Sequence, residues 1–378
     1  MKFLFIAGGT AMTVFSVVPL ATALRNEGHE IILAANEPLV EFATASGIPA
    51  VPINPEPIGR FVRGARSGKA ASEFEQPREA MRHLGRSYAR MARAGWDALL
   101  DLAEAWPPDM VVGGAMSYAA GLLADHLEVP YVRHAWDIVP TTETDPAAEE
   151  ELRPELQRLG LAGLPDPALF LDVCPPSLRP SRAPGTQPLR WVPGNLQRPL
   201  EPWMYTRPEE RRRVLITSGS RARMFQDPSW SLRQLADRLG GAEVLIAAPE
   251  NVAAESADVR IGWIPLDVVA PTCDLIVHHG GGATSLTAMN AGVPQLINPE
   301  GVYMEIIARA VSGFGAGLTV APGRQGSDQD AVAAVSAGCR EVLADPAYAL
   351  RAQDLSKEIA TLPTPSETVH TLEKLAAA

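Results

Sequence analysis

The chain has little sulfur, few aromatic rings and no excess of positive charge. Cysteine occurs three times in 378 residues, at Cys174, Cys273 and Cys339. Thiols so few and so far apart form neither a disulfide framework nor a CxxC metal site, and they read as buried and reduced. Lys and Arg number 33 against 44 Asp and Glu, giving a net charge of −11. A protein that coats nucleic-acid phosphates needs a basic footprint, and none is present. Beyond the N-terminus, no run of about 18 uncharged apolar residues offers a membrane span. A GxGxxG dinucleotide fingerprint is absent. So is a P-loop: Gly64 to Lys69 falls one residue short of that spacing, and Ala70 stands where a hydroxyl is required. With 46% apolar residues the chain still builds a large core, and its length predicts two domains.

Lys2, the apolar run after it and Ala21-Thr22-Ala23 imitate a signal peptide with its cleavage site. Gly8-Gly9-Thr10 breaks that run after one strand's length, however. A helical stretch from Val14 to Glu27, a stop at Gly28-His29 and a second strand from Glu30 to Ala35 follow. Together these make a β-α-β unit, and the chain is read as cytoplasmic.

The alternation continues through the first half. Pro38 to Ser46 reads as a helix and Ala50 to Ile53 as a strand. Gln76 to Ala105 reads as one long amphipathic helix, with Met81, Leu84, Met91 and Leu99 on its apolar side. Strands are expected at Met110 to Gly113 and Pro130 to His134, with a helix from Ala115 to Leu127 between them and a polar helical segment at 145–160. Residues 54–76, rich in Gly, Pro, Arg and Ser, read as a long loop that covers a ligand and is mobile without it. Prolines then crowd the chain from Pro175 to Pro208, a composition suited to a linker. Strands restart at Arg213 to Thr217, Glu243 to Ala247, Val259 to Gly262, Leu275 to His278 and Gln295 to Ile297. Helices are expected at Trp230 to Leu239 and Thr284 to Ala291. The pattern predicts an α/β protein with two parallel-sheet halves: residues 1–190, a linker at 191–208, and residues 209–378, with the last helix free to pack back on the first half.

The turn His278-His279-Gly280-Gly281-Gly282-Ala283-Thr284-Ser285 lies between an apolar strand and a helix. Unpaired N–H groups and the positive dipole end at a helix start make an anion site, glycines let a phosphate approach, and a hydroxyl adds a donor. An ordinary tight βα turn is the alternative reading.

The wider context favours the anion site. Gly262-Trp263-Ile264-Pro265, then Cys273-Asp274-Leu275-Ile276-Val277-His278-His279-Gly280-Gly281-Gly282-Ala283-Thr284, then Ala291-Gly292-Val293-Pro294-Gln295 resembles the nucleotide-sugar signature of family 1 glycosyltransferases. These have the GT-B fold, two Rossmann-like parallel-sheet domains facing across a cleft. The resemblance covers nearly the whole chain. It is greatest to the actinomycete antibiotic transferases, and among them to the angucycline (urdamycin and landomycin) olivosyltransferases. Carried over position by position, it implies that His279, Gly281, Gly282, Ala283 and Thr284 hold a diphosphate and that Trp263 and Ile264 lie against a nucleobase. Ser218, Gly219 and Ser220 fall at a strand-end loop that faces the phosphates. On the acceptor side it implies contacts from Thr10, Ile53, His134 and Trp136.

Two departures from the family pattern are informative. Where members that take hydroxyl-rich sugars commonly have an Asp-Gln pair, this chain has Tyr303-Met304. A site without those polar groups suits a deoxysugar carried on dTDP. The family usually places a catalytic His at the end of the first glycine loop, yet no His occurs between Met1 and Glu27. The substitute expected from the resemblance is Asp137, in His134-Ala135-Trp136-Asp137, as general base; a turn or capping role is the competing reading. Asp328-Gln329-Asp330 matches the DxD of metal-dependent transferases but reads as a helix start, so neither a metal nor another cofactor is implied. The expected activity is inverting, metal-independent transfer of a deoxyhexose such as D-olivose from a dTDP-sugar to an aromatic polyketide, with a C-glycosidic bond as the expected product. An O-glycosyltransferase, a nucleotide-sugar epimerase and a non-catalytic transferase-activating partner are the alternatives. The expected partners are small molecules, with no nucleic acid and no membrane insertion.

Overall fold

A computed structural model describes residues 1–63, 76–179, 181–217, 235, 238–239, 241–248, 259–320 and 328–377. The chain divides into two compact units, Met1–Cys174 with Ser181–Leu196 and Leu362–Ala378, and Pro175–Pro180 with Gln197–Thr361.

In the first unit seven parallel strands pair in the order β3-β2-β1-β4-β5-β6-β7. They are β1 (Lys2–Ala7), β2 (Glu30–Asn36), β3 (Ala50–Asn54), β4 (Met110–Gly114), β5 (Tyr131–His134), β6 (Leu169–Asp172) and β7 (Thr186–Pro188). Phe3, Leu4 and Phe5 of β1 are fully buried, as are Met110, Val111 and Val112 of β4. Helices cover both faces, which is why these strands read as continuous apolar runs rather than alternating ones. The segment that imitates a signal peptide is therefore a central strand and the helix Ala11–Asn26.

The second unit has six parallel strands in the order β10-β9-β8-β11-β12-β13. These are β8 (Arg213–Thr217), β9 (Glu243–Ala247), β10 (Val259–Gly262), β11 (Leu275–His278), β12 (Gln295–Ile297) and β13 (Gly317–Thr319). Val214, Ile216, Val244, Ile246, Leu275 and Val277 pack its core on one side, and Leu215, Leu245 and Ile276 on the other. Both sheets reverse strand order once, between β1 and β4 and between β8 and β11. Ligands of open α/β sheets bind beyond the strand ends at such a reversal.

Several expectations change. The long helix at 76–105 is two helices, Pro77–Ala94 and Trp96–Ala105, parted at Gly95. The stretch 54–76 is not all loop, since Ile58–Arg63 forms a helix. That helix is tied to its neighbour by His83 Nε2 donating to Val62 O at 2.9 Å and Arg90 donating to Phe61 O at 3.0 Å. Residues 64–75, the centre of the expected cover, lie outside the described residues. The proline-rich stretch contains β7, whose Pro188 is tolerated because β7 is an edge strand.

The final helix, Pro365–Ala376, begins with a Thr364–Glu367 capping box and packs on the helix Ala11–Asn26. His29 Nε2 meets Glu373 at 3.0 Å, and the Arg190 N–H donates to Pro363 O at 2.7 Å. All three cysteines are buried and free, and burial pushes the Cys273 and Cys339 thiols up to about 12. Among the described residues no helix is long and apolar enough to cross a membrane.

Candidate active site

In the second unit the site begins where β11 ends. His278 pairs in register with Thr217, so the last residues of β8 and β11 stand side by side at the strand-order reversal. The chain then turns through Gly280, whose φ of +92° puts it in the left-handed region. A Cβ there would lie 2.8 Å from Met304 Cβ, so only glycine fits this turn against the first turn of the helix Val302–Phe314.

Helix Gly282–Ala291 follows with Gly281 as N-cap. It has no side-chain cap and no acidic residue in its first turn. Its N-cap therefore supplies no side-chain oxygen to the leading N–H groups, and Gly281, Ala283 and Thr284 are only half-buried. That is an arrangement for an anion. The His279 ring, 8% exposed, stands beside Gly281: a Cβ added to Gly281 would lie 3.0 Å from His279 Nε2 and 3.7 Å from Thr284 Oγ1. The turn thus gathers His279, Gly281, Gly282, Ala283 and Thr284 in one place.

The shape of the turn is fixed by a buried network that spacing alone does not reveal. His278 Nδ1 accepts the Gly280 N–H at 3.0 Å, so its proton sits on Nε2 and is donated to Gln295 Oε1 at 2.9 Å. Ser285 donates to the same oxygen at 2.7 Å. Burial, with His279 close by, lowers the His278 pKa to about 3, so the ring is neutral at ordinary pH.

Trp263 is half-buried, with the Arg198 guanidinium 5.4 Å from its ring centroid. The Ile264 side chain is packed into the core, leaving its main chain for any ligand contact. Tyr303 opens the helix Val302–Phe314 and is half-buried. Ser218, Gly219 and Ser220 lie outside the described residues. Asp328 and Asp330 fall at the start of the helix Asp328–Ala344. Among the described residues no three His, Cys, Asp or Glu side chains are placed to hold a metal ion.

In the first unit Asp137 follows β5 and is 2% exposed, and its Oδ1 accepts the Val139 N–H at 2.8 Å. This bond fixes the carboxylate within its turn. The neighbouring Trp136 ring is buried against Gly114 and lies 5.7 Å from the Tyr88 ring. Tyr88, from the helix Pro77–Ala94, reaches the first glycine loop, since its hydroxyl occupies the space a Cβ on Gly9 would need. Thr10 follows as the N-cap of the helix Ala11–Asn26 and is half-exposed.

Tyr88 and Ile53 also line a small hollow of about 20 Å³ at the C-terminal ends of β1 to β4. Tyr88 thus stands beside Trp136 and Gly9 and shares the hollow's lining with Ile53, although no motif in the chain singles Tyr88 out. His134 is separate. It is 1% exposed, donates from Nδ1 to Ala135 O at 2.6 Å, and lines a small cavity with Leu20, Leu189 and Trp191. Burial lowers its pKa to about 4.

Two parallel Rossmann-like sheets, the second with a glycine turn at its strand-order reversal, are the arrangement of GT-B glycosyltransferases, and comparison with known proteins agrees. The chain belongs to the family described as erythromycin biosynthesis protein CIII-like, matching its N-terminal domain over residues 22–219 and its C-terminal domain over residues 230–375. It is 33% identical over 363 residues to an L-demethylnoviosyl transferase of Streptomyces niveus, covering 93% of this chain and 92% of that one. It is 30% identical to the elloramycin glycosyltransferase ElmGT of Streptomyces olivaceus, covering 97% and 95%. Among solved structures, the glycosyltransferase SsfS6 of Streptomyces sp. SF2575, complexed with thymidine diphosphate, is 33% identical. It superposes with a TM-score of 0.86 over 99% of both chains. The chain is thus a glycosyltransferase.

Proposed function

We propose that this enzyme transfers a deoxyhexose, D-olivose by the resemblance of its sequence, from a dTDP-sugar to an aromatic polyketide of angucyclinone type. The observation that carries the reading is the uncapped, acid-free start of the helix Gly282–Ala291 beside His279. It would stabilise the diphosphate as it takes the bonding electrons of the anomeric carbon–oxygen bond. The thymidine diphosphate bound by SsfS6 supports the choice of nucleotide. Tyr303 and Met304 on the first turn of the neighbouring helix offer few hydrogen bonds to sugar hydroxyls, which suits a deoxysugar.

On the acceptor side Asp137 takes the phenolic proton, its orientation held by the Val139 N–H. The phenolate spreads charge to its ortho and para carbons. Attack by such a carbon on the face opposite the diphosphate forms the carbon–carbon bond as the anomeric carbon–oxygen bond breaks and dTDP leaves, inverting the centre. Loss of the ring proton to solvent, with the ring oxygen taking its proton back from Asp137, restores the phenol and leaves a C-glycoside. Attack by oxygen would give an O-glycoside by the same deprotonation. Helix dipole and N–H donors replace a metal at the leaving group.

Incubation with dTDP-D-olivose and an angucyclinone, followed by mass spectrometry and NMR of the product, tests the reaction and the atom glycosylated. A dTDP titration showing no micromolar binding would sink the proposal. Activity is expected to survive a strong chelator. Loss that Mg²⁺ or Mn²⁺ restores would overturn the metal-independent mechanism.

A further inference from the structure

Asp137 lies between β5 and the helix Thr144–Glu151, on a segment outside both elements. A reacting side chain works only when held to within about 0.5 Å of its place. The bond from the Val139 N–H ties the carboxylate to its own turn. That turn must in its place be tied to the sheet, and a largely buried cluster at the two ends of the segment 133–145 does so.

Arg133 stands on β5 with its side chain only 14% exposed. A charge so placed is costly unless its N–H groups find acceptors. Nε donates to Ala115 O at 2.8 Å, and Nη2 donates to the same oxygen, which ties β5 to the turn that follows β4. Nη1 and Nη2 donate to the two oxygens of Asp145 at 2.8 and 2.7 Å, a bidentate pair. Asp145, in the first turn of the helix Thr144–Glu151, accepts two further bonds, from the Tyr118 hydroxyl at 3.1 Å and from the Thr141 hydroxyl at 2.7 Å. Burial, and then the charge of Asp145, raise the Tyr118 pKa, so the phenol keeps the proton that it shares. These bonds use the whole acceptor capacity of a carboxylate. The Asp145 N–H donates back to Thr141 O at 2.9 Å, and the Thr144 hydroxyl to the same oxygen at 3.1 Å. The stretch just past Asp137 is thus joined to the cluster through main chain and side chain alike. Helix Pro77–Ala94 closes on the same place, where Thr144 O leaves no room for a Cβ on Gly85.

We infer that Arg133 and Asp145 are positioning residues, whose ion pair clamps the two ends of the segment 133–145 and so sets where the Asp137 carboxylate stands. That this carboxylate is the base rests on the proposed function. That the clamp holds it does not.

Asp145→Asn and Tyr118→Phe test the clamp at two strengths. Asparagine keeps the size, but whichever way its amide is turned an NH₂ faces donors, so Arg133 loses its fork. Phenylalanine removes one bond and keeps the ring in its packing. A thermal melt verifies that each variant folds. Asp145→Asn is expected to lower kcat about ten- to hundredfold, the scale of a displaced reacting group, and Tyr118→Phe about threefold, with dTDP affinity near wild type. In an Asp137→Asn background either change should add little, because an absent base cannot be misplaced, whereas a purely structural loss multiplies in both backgrounds. A second readout needs no chemistry. Hydrogen exchange of the Val139 N–H, followed by NMR, should quicken about tenfold in Asp145→Asn and about threefold in Tyr118→Phe, relative to the β1 amides that report unfolding of the whole unit. Unchanged relative exchange at Val139 in a folded variant, or kcat losses that multiply with that of Asp137→Asn, overturns the clamp. If Val139 exchange quickens while transfer does not depend on Asp137, the clamp stands and the base reading fails. Should Asp145→Asn not fold, Tyr118→Phe decides by the same two readouts.

Discussion

The glycine turn of the second unit and the hollow of the first sit at equivalent places in the two sheets, yet their polar atoms are tied differently. In the donor turn Gly280 gives to His278, and His278 and Ser285 give to Gln295 Oε1, while Gln295 Nε2 has no partner among the described residues. In the hollow of the first unit Asn54 Nδ2 and Ser117 Oγ have no partner among the described residues, beside a space of about 20 Å³. A turn that must present the same row of N–H groups to one diphosphate gains from being rigid before the ligand arrives.

The largest expected effect lies on the acceptor side. Asp137→Asn keeps the size of the side chain and can still accept from the Val139 N–H, but it cannot take a proton. Turnover is expected to fall by about 10²–10⁴ with dTDP affinity near wild type by calorimetry. Loss of both would show that Asp137 serves the fold. The defect should shrink for acceptors with more acidic phenols, and a defect independent of phenol pKa would leave proton transfer unsupported.

On the donor side the buried network should act through stability. Gln295→Leu strands the His278 Nε2–H and the Ser285 hydroxyl, and is expected to cost about 2–4 kcal/mol in urea unfolding. The same network gives a pH signature. The folded ring, with a pKa near 3, stays neutral where the unfolded chain, near 6.5, takes up a proton. Its contribution is therefore complete above about pH 6.5 and declines as pH falls toward 3, by ~1.4 kcal/mol for each pH unit crossed. His134, with its pKa near 4, adds to the same slope. His278→Gln should flatten the slope between pH 7 and 5, and an unchanged slope would mean that other groups set it. His279→Ala, in contrast, should act on donor binding. It should weaken dTDP binding by about 1.5–3 kcal/mol, the range for a hydrogen bond to a charged group.

What could be read from the sequence follows the same division. The turn from His279 to Thr284 was legible because an apolar strand, three glycines and a hydroxyl stand consecutively in the chain. The role of His278 was not, since its partner Gln295 lies 17 residues further on in the neighbouring strand. Asn54, Tyr88 and Ser117 come from three separate segments that only the sheet assembles, and none has a spacing that marks it. The central strands announced themselves through runs such as Phe3 to Ile6. Leu169–Asp172 and the edge strands Thr186–Pro188 and Gly317–Thr319 did not, although the edge strands Ala50–Asn54 and Val259–Gly262 did: Thr186–Pro188 and Gly317–Thr319 have three residues each, too few for a pattern, and the first of these ends in proline. Gly95 divided a helix whose periodicity runs on without a visible break.

The smallest expected effects concern the helix that supports the hollow. Helix Pro77–Ala94 gives Tyr88, Met91 and Ala92 to the hollow and lays an arginine row against the helices Thr144–Glu151 and Arg153–Arg158. At one end Arg82 meets Glu150, whose side chain is 50% exposed, at 2.6 Å. At the other Arg93 binds Glu155, 11% exposed, through both carboxylate oxygens at 2.7 and 3.0 Å. Burial alone would raise the Glu155 pKa, but the hydrogen bonds and charge of Arg93 outweigh it and hold the pKa below the usual carboxylate value. That pair's contribution is thus present above the unfolded carboxylate pKa and disappears as pH falls below it. The exposed pair is screened by salt and ties down two long side chains, so Glu150→Gln should cost no more than about 0.5 kcal/mol, less at high salt. Glu155→Gln should cost about 1 kcal/mol or more, because Arg93 loses a bidentate partner that is shielded from water. Urea midpoints at low and high salt distinguish the two ends, and a double-mutant cycle with Arg93→Ala isolates the pair. Neither variant should change dTDP affinity, which depends on the other unit's turn. Equal costs at both ends would mean that burial of the Glu155 end contributes nothing, and the arginine row would then hold the roof of the hollow by side-chain packing alone.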